Sequence, residues 1–151
     1  MKVSEIMTSD PVCCTNSASL NEVAQMMADN DCGCIPVVDG HETKKPIGTI
    51  TDRDIAIRTV AHNKNPLNMV VGDIMTDGPV TIAEDASLDE CFRTMEKSQI
   101  RRILVVNKDG ECTGIVSQAD VARQAGCESE TAELVKEVSA GEASATASPS
   151  A

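Results

Sequence analysis

The chain has 151 residues, 41% of them apolar and 25% charged, which predicts a soluble globular protein whose core needs neither disulfides nor metal. Its 24 acidic and 13 basic residues give a net charge of −11, and it has one Phe with no Trp or Tyr. This composition argues against nucleic-acid binding, because an acidic surface repels phosphates and base stacking relies on aromatic side chains. No apolar run approaches the ~18 residues needed to cross a membrane.

Seven cysteines are scattered along the chain. The first ten residues include acidic side chains and lack the apolar segment of an export signal. We therefore expect a cytoplasmic protein whose cysteines are thiols, most of them packed as small apolar side chains. Cys32 and Cys34 have a suggestive spacing, but His41 and His62 do not complete a ligand pattern, and no metal site is predicted.

The sequence contains a tandem repeat in which Val71 stands 68 positions after Val3. The offset falls to 66 where a loop loses two residues, as between Gly48 and Gly114. Two copies are too few for a solenoid, so we expect a closed pair with internal pseudo-twofold symmetry. The matched segments are 3–8 with 71–76, 35–38 with 103–106, Gly48 with Gly114, and Asp54 with Asp120.

Each copy predicts the element order β-α-β-β-α. A short strand precedes an amphipathic helix, an apolar β-branched run predicts a buried strand, and a further strand leads into a second helix near Thr51 or Ser117. Ser19-x-x-Glu22 and Ser87-x-x-Glu90 predict capping boxes at the first helix of each copy. The predicted strands are 12–14, 34–38 and 47–50 in copy one and 80–82, 103–106 and 113–116 in copy two. The predicted apolar helix faces are Leu20, Val23, Ala24 and Met27, and Leu88, Cys91, Phe92 and Met95.

These patterns predict an α/β or α+β fold of two layers, with helices covering the sheets. Repeat one is assigned to residues 2–66 and repeat two to residues 67–127. Residues 128–151 form an acidic tail rich in Ala and Ser. The tail is predicted to be helical in part and disordered at its end.

The pattern Gly-x-x-(Thr/Ser)-x-x-Asp occurs at the second strand-to-helix junction of both copies. A hydroxyl at a helix N-terminus can donate to a phosphate, the Asp one turn later can accept from two ribose hydroxyls, and the glycine permits close approach. The same spacing also predicts a helix cap worth about 1 kcal/mol. Recurrence of the glycine favours the ligand interpretation. The residues are Gly48, Thr51 and Asp54 in copy one and Gly114, Ser117 and Asp120 in copy two.

The doubled unit resembles a tandem pair of CBS (cystathionine-β-synthase) domains, an arrangement called a Bateman module. The resemblance covers about residues 2–126 and rests on the Ile-Met-Thr segments at 6–8 and 74–76, the strand at 35–38, and the motif at 48–54. It implies a flat pseudo-symmetric disc with two clefts that bind adenosine-containing ligands, and a regulatory role without catalysis.

The resemblance also implies residue roles. Thr51 with Asp54, and Ser117 with Asp120, would contact phosphate and ribose, and the adenine pockets would be lined near four apolar positions. Those positions are Val12, Ile35, Val80 and Ile103.

The two copies differ around these positions. Cys13 replaces the hydroxyl residue that Thr81 supplies in copy two, and Leu104 replaces the proline that Pro36 supplies in copy one. Arginines near the predicted phosphate ends are candidate ligand contacts, although exposed arginines are usually solvated surface charge. They are Arg53 in copy one and Arg101 and Arg102 in copy two.

The sequence therefore predicts a regulatory module that senses AMP, ADP or ATP, requires no cofactor, and signals to an unidentified target protein. No catalytic constellation of Ser, His, Asp or Cys is discernible, so an enzyme is not expected. Apolar residues on more than one helix face, such as Met26 beside Met27 and Ile57 near Val60, predict a homodimer. The alternative is a ligand-free dimerisation scaffold.

Overall fold

The computed structural model describes residues 1–125, so Cys127 and the tail predicted for residues 128–151 lie outside the described residues. The described chain folds into two four-stranded sheets and four α-helices, and the predicted α+β class is confirmed. Each copy supplies the predicted β-α-β-β-α order, and each also has one short strand ahead of it.

The bounds of the elements repeat between the copies. The first helix of each copy has 11 residues and ends in a left-handed residue, Asp31 in one copy and Gln99 in the other. The helices are α1 (Leu20–Asn30), α2 (Asp52–Arg58), α3 (Leu88–Ser98) and α4 (Gln118–Ala125). The strands are β1 (Thr8–Ser9), β2 (Cys14–Thr15), β3 (Cys34–Val38), β4 (Pro46–Thr51), β5 (Thr76–Asp77), β6 (Thr81–Ala83), β7 (Arg102–Val106) and β8 (Cys112–Ser117).

The two repeats exchange their first short strands, β1 and β5. One sheet has the order β2-β3-β4-β5, and the other has the order β1-β8-β7-β6. In the first, β3 runs parallel to β2 and antiparallel to β4, and β5 runs antiparallel to β4 with Thr76 opposite Thr49. In the second, β1 pairs antiparallel with β8, placing Thr8 opposite Ile115. The opening segment of each repeat therefore completes the sheet of the other repeat.

Two compact units follow from this exchange. One consists of Met1–Ser9, Val80–Val105 and residues 114–125, and the other of Asp10–Pro79 and Val106–Thr113. Each has its own core, and in each an opening segment contributes a buried valine, Val3 in the first unit and Val71 in the second. The first core is built around Cys91, Phe92, Met95, Ile103 and Val116, and the second around Leu20, Val23, Ile35, Val37 and Ile50.

The predicted buried strands are confirmed at β3 and β7, because runs of apolar residues fill the cores there. The first strand of each copy is shifted relative to the prediction: β2 begins at Cys14 and β6 at Thr81. Ala24 was expected on the apolar face of α1 but is exposed, whereas Met26 is half-buried. Ala24 has the spacing of the apolar face, but spacing alone does not bury it. The apolar face of α1 is therefore narrower than the sequence pattern predicts.

The capping boxes predicted at Ser19 and Ser87 are half-formed in the described chain. Each serine Oγ accepts from the backbone N–H three residues later, at 3.1 Å, but the reciprocal carboxylate bond is absent. The start of each helix is tied instead to a passing segment, with the Leu20 N–H donating to Met69 O and the Leu88 N–H to Met1 O. Among residues 1–125, no helix is both long enough and apolar enough to cross a membrane.

Candidate functional site

The junctions that carry the repeated motif form two complete capping boxes. Asp54 N–H donates to Thr51 Oγ1 at 3.0 Å, and Thr51 N–H donates to Asp54 Oδ2 at 3.1 Å. The same pair of bonds joins Ser117 and Asp120, at 3.1 and 2.9 Å. The predicted cap geometry is thus present in both copies, and it holds each hydroxyl beside its carboxylate.

An arginine one turn further along the helix holds each motif carboxylate. Arg58 Nε lies 3.7 Å from Asp54 Oδ1, and Arg123 Nη2 bonds to Asp120 Oδ1. Arg58 also donates to Ile74 O and Met75 O, at 2.9 and 3.2 Å, and so ties α2 to the opening segment of the second repeat. Sequence reasoning missed both arginines. The signal was their spacing, since Asp and Arg three or four residues apart meet on one helix face.

The motif carboxylates are mostly buried but retain some access to solvent. The side chains of Asp54 and Asp120 are 16% and 15% exposed. The cap uses the Thr51 and Ser117 oxygens as acceptors, so each hydroxyl still has its own hydrogen to donate. An ionised carboxylate has about four acceptor positions. The two oxygens of each Asp therefore keep acceptor capacity beyond the cap and the arginine.

Close packing explains why the motif has a glycine in both copies. A Cβ on Gly48 would lie 2.5 Å from Thr76 O, in the paired strand β5. A Cβ on Gly114 would overlap the Met7 side chain, which belongs to the segment that leads into β1. The position that a Cβ would take at each motif glycine is thus filled by the exchanged opening segment, and this gives the recurrence of the glycine a packing explanation. Close approach of a ligand at these glycines stays a prediction.

The remaining predicted site residues fall into two groups. Ile35 and Ile103 are fully buried core residues, so any contact with a ligand is left to their main-chain atoms, whereas Val12 is exposed and Val80 is half-buried. The three arginines predicted as ligand contacts are all exposed to solvent. Arg53 is in the first turn of α2, Arg101 O accepts from Gln118 N–H at 2.8 Å, and Arg102 begins β7.

The site residues of each repeat lie within one compact unit. Those of copy one, from Val12 to Asp54, belong to the unit of Asp10–Pro79, and those of copy two, from Val80 to Asp120, belong to the other unit. Among residues 1–125, no three His, Cys, Asp or Glu side chains are grouped so that they could hold a metal ion.

Comparison with known proteins gives one consistent answer. The CBS domain family model matches residues 3–59 and 71–126. The chain is 40% identical over 121 residues to the uncharacterized protein YlbB of Bacillus subtilis, with 80% of each chain covered. It is 31% identical over 119 residues to hypoxic response protein 1 of Mycobacterium tuberculosis, covering 79% of this chain and 81% of that one.

Solved structures share the fold. Hypoxic Response Protein I, crystallised with two coordinated zinc ions, matches with a TM-score of 0.72 and 30% identity over 82% of this chain and 98% of that chain. The CBS domain pair of protein MJ0100, in complex with 5′-methylthioadenosine and S-adenosyl-L-methionine, matches with a TM-score of 0.73 and 30% identity over 85% and 98%. With both repeats matched by the family model, the chain belongs to the CBS domain family and carries one CBS domain in each repeat.

Proposed function

We propose that this protein is a regulatory module that binds an adenosine-containing ligand through Thr51 with Asp54 and Ser117 with Asp120. The observation that supports this proposal is the hydrogen bonding within these two pairs. In both repeats the cap fixes a hydroxyl that keeps its hydrogen beside a carboxylate that keeps acceptor positions. Such a pair suits a nucleotide, because phosphate oxygens accept hydrogen bonds and vicinal ribose hydroxyls donate them.

The ligand class follows from this chemistry together with a relative. MJ0100, 30% identical to this chain, binds 5′-methylthioadenosine and S-adenosyl-L-methionine, and both contain adenosine. We infer an AMP, ADP or ATP-type ligand for this chain because the hydroxyl of each motif suits a phosphate. Arg53, Arg101 and Arg102 add positive charge in a chain of net charge −11, which favours an anionic ligand. The ligand is bound for regulation and is not a cofactor of a reaction.

Calorimetric titration of the full chain with AMP, ADP, ATP and S-adenosyl-L-methionine tests this proposal. Asp54→Ala and Asp120→Ala should each remove one binding event. Each loses charge-assisted bonds worth ~1.5–3 kcal/mol, a ~10- to 150-fold drop in affinity. Asp52→Ala is the matched control, because Asp52 is an exposed carboxylate in the same turn of α2 and should leave the affinity unchanged.

Two results would contradict the proposal. The first is unchanged affinity in the double variant Asp54→Ala with Asp120→Ala, which would leave these aspartates with a capping role alone. The second is the absence of binding by every adenosine compound, which would favour the scaffold alternative. Unfolding curves must accompany the titrations, since losing each cap costs about 1 kcal/mol of stability and binding has to be measured on folded protein.

We further propose that the module is not itself a catalyst and acts in the cytoplasm on a separate target protein, as a homodimer. Four large apolar side chains in the unit of Asp10–Pro79 support self-association, because exposed apolar side chains in one stretch of chain mark a contact surface. This apolar stretch consists of Ile57, Val60, Leu67 and Val70, with exposures of 42%, 64%, 67% and 39%.

A further inference from the structure

The guanidinium of Arg58 contacts both a site carboxylate and the opening segment of the second repeat (residues 71–77). Its Nε lies 3.7 Å from Asp54 Oδ1. Its Nη1 donates to Ile74 O at 2.9 Å and to Met75 O at 3.2 Å. All of these residues belong to one compact unit. A single cation therefore connects the carboxylate that we propose for ribose binding to the main chain of the segment that completes the sheet.

This set of contacts depends on the shape of an arginine side chain. A guanidinium carries five N–H donors in one plane, so it can contact two carbonyls and a carboxylate at the same time. Bonds from a charged donor are stronger than those between neutral groups. Because the two carbonyls hold Nη1, the position of Nε beside Asp54 is fixed as well. The orientation of the Asp54 carboxylate thus depends in part on where residues 74 and 75 lie.

The opening segment of the second repeat has a buried part and an exposed part. Ile74 is buried, and Met75 packs half-buried against the core of the same unit. Beyond them, β5 adds only two residue pairs to the edge of the sheet, and both of its residues are exposed. Short exposed stretches of this kind open locally at low cost while the core stays folded. Arg58 binds where the buried part meets the exposed part, so its bonds favour the paired state of β5.

The second repeat lacks an equivalent of this arginine. At the repeat offset of 66, the position of Arg58 is taken by Gln124. The arginine beside Asp120 is Arg123, three residues further along the helix, and among residues 1–125 it has no bond to a main-chain carbonyl. Its side chain is 70% exposed, against 46% for Arg58. The connection between a motif carboxylate and an opening segment is therefore a property of the first site.

We propose that Arg58 is a positioning residue that couples ligand binding at Asp54 to the pairing of β5. Arg58 acts through Asp54 and does not touch the ligand, and the inference rests on the proposed adenosine site of the first repeat. When β5 is paired, the carbonyls hold Arg58, and Arg58 holds Asp54 in the orientation that accepts from the ribose hydroxyls. A ligand that binds this state more tightly also shifts β5 toward it, because coupling is reciprocal.

The coupling presents ligand occupancy at the surface of the unit. Thr76, Asp77 and Gly78 are exposed, so a change in the pairing of β5 is accessible to a target protein. Because the second repeat lacks the connection, its own site does not change β5 by this route. Occupancy of the first site is therefore the event that alters this edge of the sheet.

The test combines calorimetry with hydrogen exchange of the full chain, measured by mass spectrometry with and without saturating AMP or ATP. In the wild type, nucleotide should slow exchange at residues 74–78. Arg58→Gln should speed exchange there without nucleotide, remove the protection that nucleotide gives, and weaken binding at one site by ~5-fold or more. Arg58→Lys should behave in the same way, because an ammonium keeps the charge but lacks the planar set of donors.

Three further variants locate the effect. Asp54→Ala should remove the nucleotide-dependent protection of residues 74–78, whereas Asp120→Ala should keep it. Arg93→Gln is the matched control, because Arg93 forms an exposed ion pair of 3.1 Å with Asp89, four residues before it in α3. This variant should change neither the affinity nor the protection.

Three results would overturn the coupling and leave the proposed function standing. They are nucleotide binding to the wild type without slower exchange at residues 74–78, unchanged affinity and protection in Arg58→Gln, and full restoration by Arg58→Lys. Failure of both AMP and ATP to bind the wild type would instead overturn the proposed nucleotide site, and the coupling with it. The wild-type comparison needs no substitution, so it decides the outcome even where Arg58→Gln fails to fold.

Discussion

At the motif aspartates, one carboxylate has room for two roles. Asp54 receives the Thr51 N–H on one oxygen and faces Arg58 with the other, yet each oxygen has more than one acceptor position. The helix cap and the ribose contact are therefore compatible uses of the same side chain. Substitution of either aspartate will change stability and affinity together, so unfolding curves measure the first effect and titrations of the folded protein measure the second. Asp52→Ala is the control that leaves the Thr51–Asp54 cap in place.

The hydrogen bonds of Asp39 predict that the stability of the fold depends on pH. Its Oδ1 accepts from Thr43 Oγ1 at 2.6 Å and from Lys45 N–H at 3.0 Å, in the turn between β3 and β4. The hydrogen bond from Thr43, followed by that from Lys45, lowers the pKa of this carboxyl below its ordinary 3.8. A carboxyl whose pKa is lower in the folded state stabilises the fold above its unfolded pKa. That contribution disappears as the pH falls through the folded pKa.

We therefore expect the stability difference between wild type and Asp39→Asn to be present near pH 5 and to shrink as the pH falls below about 4. Urea unfolding at a series of pH values measures it. Asparagine keeps the acceptor oxygen and removes only the charge, so it isolates the titration. Thr43→Val, which removes the hydroxyl donor, should weaken the same pH dependence. A difference that stays constant down to pH 2.5 would show that Asp39 does not contribute in this way.

At the level of elements, the exchanged strands explain the motif glycines and allow a sharp comparison. Gly48→Ala would bring a methyl group against Thr76 O, a backbone atom fixed in β5. For Gly114→Ala, the three atoms nearest to the new methyl group all belong to the Met7 side chain. Both substitutions should destabilise the protein by about 1–3 kcal/mol, because overpacking forces neighbouring atoms to move.

A second substitution at the neighbouring methionine should restore stability in copy two but not in copy one. Met7→Ala should relieve Gly114→Ala, with a coupling energy above ~0.5 kcal/mol in a double-mutant cycle. Met75→Ala should give little relief to Gly48→Ala, since the nearest obstacle there is the carbonyl of Thr76. Free energies of unfolding from urea titration provide both cycles. Additive effects in the Gly114 and Met7 pair would contradict the packing explanation.

The elements that could be predicted are those with a strong local pattern. The run at β3 is apolar throughout and the helix α3 has three buried residues at helical spacing, so both were predicted correctly. Strands β1 and β5 have two residues each and are too short to show a period in a sequence pattern. Which sheet they join depends on chain pairing over long separations, and this is why the packing role of Gly114 and the contact of Arg58 with Ile74 could not be foreseen.

At the scale of the whole molecule, the apolar stretch of Ile57, Val60, Leu67 and Val70 carries the prediction of self-association. Light scattering on the full chain should give about twice the 15.9 kDa mass of one chain. Val60→Glu or Leu67→Glu should shift the protein toward the monomer, because a buried unpaired carboxylate opposes association. His41→Glu is the matched control, since it places the same charge on an exposed residue outside this stretch.

Two outcomes would count against this interface. A particle of 15.9 kDa at micromolar concentration would exclude a stable homodimer. A dimer that survives both Val60→Glu and Leu67→Glu would place the contact on another surface. Circular dichroism of each variant must match that of the wild type, so that a loss of mass reports dissociation rather than unfolding.

The exchange of opening segments also sets the order in which strands can pair while the chain is made at the ribosome. β5 can join its sheet as soon as it emerges, because β2, β3 and β4 precede it in the chain. β1 precedes the other strands of its sheet in the chain, and its partner Ile115 is translated 107 residues after Thr8. Until then Val3, which is fully buried in the finished protein, has no core to enter, and closing so long a loop is slow. The opening segment of the first repeat can therefore reach its place only after β8 has been translated.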